Sequence, residues 1–210
     1  MNAYSELYID DAMCNLGEYL DYMVLDLKYD IDTAYDMLAN SKIGHSFECG
    51  NPSVIAGISG VEMARKVLNE IKGYWEETDS TQTIDRSSEY WTGWFLAFFQ
   101  WQKNVSLNYL SFAGIKCSDI QKLYPTLHEA DISKAVYVVE SLIKENKKES
   151  TLKRLRRYAG LSQSELSEKS GVALRMIQLY EQGQNDISKA QVQTVINLAK
   201  AIGCEVEELI

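Results

Sequence analysis

Apolar residues recur along the first two-thirds of this chain at three- and four-residue steps rather than alternating, a period that predicts helices and no strands. Ile9, Met13, Leu16, Leu20, Met23, Val24 and Leu27 outline one long amphipathic helix whose opposite face is acidic and expected to lie in solvent. Asp32 is placed to open a shorter helix carrying Ala34, Tyr35 and Leu38. The stretch GNPSVIAGISG, from Gly50 to Gly60, reads as a loop from its Gly, Asn and Pro content. Ser59, followed three residues on by Glu62, has the spacing of a capping box and starts a helix through Val61, Ala64, Val67, Leu68 and Ile71. After Gly73 a long polar connection runs from Glu76 to Ser88, a length that marks mobility or a contact surface. Ser87 or Ser88 then caps an aromatic helix reaching Gln102, with Ser106, Ser118 and Asp131 as further caps. A last helix, from about Asp131 to Lys147, carries Ala135, Val138, Val139, Leu142 and Ile143 on one side. The expectation is an all-α bundle of roughly six or seven helices, without a repeat of fixed period.

Composition and charge sharpen the picture. The polar stretch Lys144 to Ser150, KENKKES, separates two apolar-periodic regions and divides the chain into domains at 1–146 and 151–210. The whole chain holds 21 Lys+Arg and 30 Asp+Glu. Residues 150–210 hold 8 and 7 of these, net +1, which leaves 13 and 23 for residues 1–149, net −10. The acidity therefore belongs to the first domain. Only 2 prolines interrupt 210 residues, and 46% hydrophobic content suffices to bury a core. Cys14, Cys49, Cys117 and Cys204 are scattered without a CxxC pair, which suggests neither a disulfide framework nor a structural metal. The first residues lack a secretory signal, and the longest apolar run, WTGWFLAFFQW from Trp91 to Trp101, is too short to cross a bilayer. A soluble cytoplasmic protein with no membrane contact is expected.

Several candidate chemistries are weak. Trp91, Trp94, Phe95, Phe98, Phe99 and Trp101 are helically spaced and read better as core than as a ligand or nucleobase platform. His128, Glu129 and Asp131 offer metal or acid–base groups, but no second cluster accompanies them and Asp131 is more simply a helix cap. His45 stands alone and is expected to be solvated or hydrogen-bonded. The loop with Gly57 and Gly60 lacks the preceding strand and following Lys of a phosphate cradle. No constellation points to an enzyme, and no cofactor is implied.

The informative stretch is Gly160 to Gly183, GLSQSELSEKSGVALRMIQLYEQG. Gly171 stands where two helices must turn sharply and where only glycine takes a positive φ without strain. Val172, Ile177 and Tyr180 share an inward face with Leu161 and Leu166, leaving Leu174, Arg175, Gln178 and Gln182 outward. From about Thr151 to Ile210 the chain resembles the Cro/XRE phage-repressor-like helix-turn-helix family. The resemblance rests on Leu161, Ser162, Gln163, Glu165 and Leu166 at its start, Gly171 and Val172 at its turn, Ile177 in its core, and Tyr180, Glu181 and Gly183 at its end.

The resemblance implies a five-helix DNA-binding domain, with helix two near Gln163–Ser170 and a recognition helix near Ala173–Gln182. On that helix Arg175 suits guanine, Gln178 suits adenine, and Leu174 can touch a thymine methyl. Gln163 and Gln182 are the implied phosphate contacts, with Lys153, Arg154 and Lys189 as local cations. Arg156 and Glu181 fall where the family often places a partly buried ion pair. Ala173 stands where relatives often carry a capping Ser or Thr. The function this implies is a sequence-specific transcriptional regulator, a repressor or the antitoxin and autorepressor of a toxin–antitoxin operon. It would act as a homodimer on a palindromic operator in double-stranded DNA. The dimer contact would come from Val206, Leu209 and Ile210 or from the acidic bundle, which could also grip a toxin. The alternatives are an interaction module with a non-functional helix-turn-helix tail, or an enzyme domain fused to a DNA-binding domain.

Overall fold

A computed structural model describes residues 2–74, 86–146 and 150–209. Most of the Glu76–Ser88 connection, part of the Lys144–Ser150 seam and Ile210 thus lie outside the described residues. Those described are all-α, with no strand. They gather into two compact units, Met1–Tyr109 with Lys116–Val139, and Leu110–Ile115 with Glu140–Ile210.

Up to Asn146 the α-helices are α1 (Ile9–Asp21), α2 (Ile31–Ala39), α3 (Lys42–Glu48), α4 (Pro52–Ile55), α5 (Gly60–Lys72), α6 (Ser88–Lys103), α7 (Tyr109–Phe112), α8 (Cys117–Gln121), α9 (Tyr124–Leu127) and α10 (Ile132–Asn146). Six of these ten have seven residues or more. The others are single turns too short to leave a periodic signal. One of them, α4, lies in the stretch expected to be a loop: Asn51 caps it by accepting from Ser53 N–H, and Pro52 occupies the first turn, where a missing N–H costs nothing.

The first unit is built around α1. Ala12, Met13, Asn15, Leu16, Gly17, Tyr19 and Leu20 are all buried, so the helix is enclosed on more than one side rather than half-solvated. Glycines permit this closeness. A Cβ on Gly93 of α6 would lie 2.2 Å from the Leu16 carbonyl oxygen, and one on Gly60 of α5 would lie 2.3 Å from the Asn15 oxygen. Polar groups on α1 are matched: Asn15 Nδ2 donates to Ile58 C=O at 2.8 Å, Tyr19 Oη to Ala34 C=O at 2.9 Å, and Glu18 accepts from Gly60 N–H at 3.0 Å. Beyond Asp21 the helix widens into a π-turn, Tyr22–Asp26, and Lys28 at φ 61° ends the run.

Asp30, not Asp32, caps α2, accepting from the N–H groups of Asp32 and Thr33. Asp32 serves a long-range purpose instead: its carboxylate accepts from Ser118 N–H at 2.7 Å and Ser118 Oγ at 2.8 Å. Ser118 is therefore a partner of α2 rather than the cap of α8. Ser59 and Ser87 cap α5 and α6 by accepting from Glu62 and Tyr90 N–H, and the Asp131 carboxylate accepts from Ser133 N–H at 2.8 Å at the start of α10. His45 is exposed and hydrogen-bonded, as expected: its Nδ1 lies 3.0 Å from Glu48 Oε1 and its Nε2 3.8 Å from Cys49 Sγ.

Gly93→Ala drives a methyl against backbone of α1, which cannot rotate away. It is expected to destabilise the first unit by about 1–3 kcal/mol, read as a lower midpoint in thermal or urea unfolding; an unchanged midpoint would show that α6 does not approach α1 this closely.

Candidate nucleic-acid interface

After Ser150 the helices are α11 (Thr151–Tyr158), α12 (Gln163–Ser170), α13 (Leu174–Glu181) and α14 (Val192–Ile202), followed by a 3-10 turn, Val206–Glu208. The expected fifth helix is thus a single 3-10 turn. Leu152, Leu155, Leu166, Val172, Ile177, Tyr180, Val195, Leu198, Ala199 and Leu209 form one buried core, with Leu161 packed at its edge. Leu209 is 1% exposed. It closes its own domain and is not available as a dimer contact. Val192, at the start of α14, is by contrast 73% exposed.

The turn between α12 and α13 is over-determined. Ser162 and Glu165 form a reciprocal capping box at the start of α12, with Ser162 N–H donating to Glu165 Oε2 at 2.7 Å and Glu165 N–H to Ser162 Oγ at 3.1 Å. Hydrogen bonds to the carboxylate from Ser162, its backbone N–H first and its hydroxyl second, hold the Glu165 carboxyl below its ordinary pKa. At the other end Gly171 takes φ 69°, with nothing within 4 Å of where a Cβ would stand. Conformation, not space, demands glycine there. Ser167 Oγ donates to Val172 C=O at 2.7 Å, and Ser170 Oγ accepts from Val172 N–H at 3.2 Å while donating to Leu166 C=O at 2.6 Å. Both backbone groups of Val172 are therefore satisfied by serines of the preceding helix.

A buried charge network then fixes α13. Arg156 Nε donates to Glu181 Oε1 at 2.6 Å and Arg156 Nη2 to Glu181 Oε2 at 3.0 Å, a bidentate pair whose side chains are 9% and 2% exposed. Arg156 Nη1 also donates to Leu161 C=O at 2.6 Å, and Gln163 Nε2 to Glu181 Oε2 at 2.7 Å. One carboxylate at the end of α13 thus gathers α11 and the start of α12.

This network accounts for Gln163, whose amide nitrogen is turned inward to Glu181. Arg154 is also held within the unit. A Cβ on Gly114 would meet its Cγ at 2.3 Å, its Nε is buried without a partner among the described residues, and burial lowers its guanidinium pKa. Lys153 is half-buried, and Lys189 makes an exposed pair with Asp186 at 3.4 Å, of the kind that contributes little. The outward face of α13 holds Leu174, 37% exposed, with Arg175 and Gln182 exposed and Gln178 half-buried. Ala173, extended at φ −55° and ψ 133°, caps α13 without a side-chain hydrogen bond. A short apolar group, a guanidinium and an amide thus lie side by side on one helix, the donor and contact set that reads base edges. Among the described residues no three His, Cys, Asp or Glu side chains converge as a metal site requires.

Arg156→Ala leaves the Glu181 carboxylate buried with only an amide donor. It is expected to destabilise this domain by about 3–5 kcal/mol, measured by chemical unfolding; an unaltered unfolding free energy would remove the network from any structural role.

Comparison with curated proteins and with solved structures returns no match for this chain. A protein-family model described as Helix-turn-helix matches residues 152–209, the span that holds the capping box, the Gly171 turn and the Arg156–Glu181 pair. The C-terminal part of the chain is a helix-turn-helix domain of the Cro/XRE type.

Proposed function

We propose that the protein is a sequence-specific transcriptional regulator, in which α13 enters the major groove of duplex DNA and represses transcription from an operator of two-fold symmetry. The observation that carries this reading is the outward face of α13 within a matched helix-turn-helix domain. Arg175 is the donor for guanine O6 and N7, Gln178 the partner of adenine, and Leu174 the contact for a thymine methyl. Lys153, Lys189 and Gln182 supply phosphate contacts.

Charge supports the same arrangement. Residues 150–210 carry net +1 and residues 1–149 net −10, so repulsion keeps the acidic part away from phosphates. Few phosphates are neutralised per subunit, and two subunits on a palindrome provide the affinity that one lacks. Because Leu209 is spent on its own core, the homodimer contact falls to the partly buried Val206 or to the N-terminal part. An acidic surface also suits a basic protein partner. That complementarity supports the role of an antitoxin that represses its own operon.

The test uses a duplex site selected from random DNA by the full-length chain. Arg175→Ala is expected to cost about 1–3 kcal/mol at one base position and relax specificity there, whereas Lys153→Ala weakens all sequences alike and lowers the slope of affinity against salt. If neither variant alters binding, or if the wild type selects no site, the domain is an interaction module rather than a DNA reader.

A further inference from the structure

The N-terminal unit contains a cleft of about 210 Å³ lined by Arg86, Tyr90, Trp91, Trp94, Tyr124 and His128. Its walls interlock. Trp91 meets Tyr124 edge-on with ring centres 5.8 Å apart, and Tyr124 stacks on His128 at 4.6 Å. Tyr124 Oη donates to Arg86 C=O at 3.3 Å, and His128 Nδ1 donates to Tyr124 C=O at 2.9 Å, since a carbonyl can only accept. Core packing accounts for Trp91, Phe95, Phe99 and Trp101, all buried, whereas Trp94, Phe98 and Tyr90 stay partly open, Tyr90 with one edge of its ring against Gly17 of α1. Of these three, Trp94 and Tyr90 line the cleft.

Size and charge together select a ligand class. An apolar cavity of roughly 150 Å³ accepts benzene, so this cleft has room for one ring and a small substituent. Among the described residues Arg86 is the one lining residue with a permanent charge and no carboxylate lines the cleft, the nearest to its wall being Glu129, whose Oε1 lies 3.7 Å from His128 Nε2 on an exposed side chain. Its guanidinium rests 4.6 Å from the centre of the Tyr90 ring and makes no ion pair among the described residues. A cationic ligand would meet that charge head-on, which disfavours the aromatic cleft as an ammonium cage. A carboxylate would instead find a bidentate partner already placed beside a stacking surface.

We infer that this cleft binds a monocyclic aromatic carboxylate, its ring against Trp94 and Tyr90 and its carboxylate on Arg86. The site lies wholly within the first unit and does not depend on the DNA-binding reading.

Calorimetric titration of the full-length protein with benzoate, benzamide and cyclohexanecarboxylate tests it. Benzoate is expected to bind saturably with a dissociation constant of about 1 mM or lower, and the uncharged and the non-aromatic analogues at least about tenfold more weakly. Arg86→Met and Trp94→Ala are each expected to weaken benzoate at least about tenfold with the melting temperature unchanged. Should Trp94→Ala lower the melting temperature, Arg86→Met, at an exposed position, decides alone. Absence of saturable benzoate binding, equal binding of either analogue, or full benzoate affinity in Arg86→Met would overturn the assignment.

Discussion

Everything proposed for α13 depends on one buried carboxylate. Glu181 accepts two hydrogen bonds from Arg156 and one from Gln163, and Arg156 spends its remaining arm on the Leu161 carbonyl. Two charges removed from water cost several kcal/mol each unless geometry and partners compensate. Here compensation requires α11, the Leu161 loop, α12 and α13 in one arrangement. The gain over a well-packed apolar substitute need not be large. What the pair contributes is uniqueness, because any slide or rotation of α13 strands a charge. The outward side chains at Leu174, Arg175 and Gln178 inherit their direction from that inward anchor.

The same economy governs the short turn that precedes the helix. Ala173 provides no side-chain cap, so about 1 kcal/mol of local stabilisation is absent. Ser167 and Ser170 reach forward to satisfy Val172, and Gly171 supplies the left-handed residue. Hydrogen bonds from α12 thus fix the turn ahead of α13, while the first N–H groups of α13 receive no side-chain cap from Ala173. The first unit uses a different device, glycine at helix crossings, to enclose α1 so closely that its acidic face is narrower than the pattern suggests.

How much of this was legible in the sequence varies with the range of the interaction. Gly171, the Ser162–Glu165 box and the inward set Val172, Ile177 and Tyr180 were readable because each is fixed within one or two helical turns. Family spacing pointed to Arg156 and Glu181 across 25 residues; composition alone would not have. Long-range pairings left no local trace. Asp32 looks like a cap and instead holds Ser118, and the bond from Gln163 Nε2 to Glu181 and the packing of Arg154 against Gly114 have no local signature either. Leu209 looks like a dimer contact near the end of a chain, yet it fills the core. The turn at Pro52–Ile55 is too short to show periodicity, and the cleft at Trp94 comes from rings on α6 and α9 that no spacing rule brings together.

The most direct measurement of the central claim is a map of backbone amide shifts in the full-length protein as duplex DNA of mixed sequence is added at low ionic strength. If α13 is held by Glu181 so that its other side meets the groove, the perturbed residues run from Gly171 to Gln182 and include the start of α12, and Arg156→Ala abolishes the pattern. Perturbations confined to residues before Val139, or a spectrum indifferent to DNA, would contradict the account.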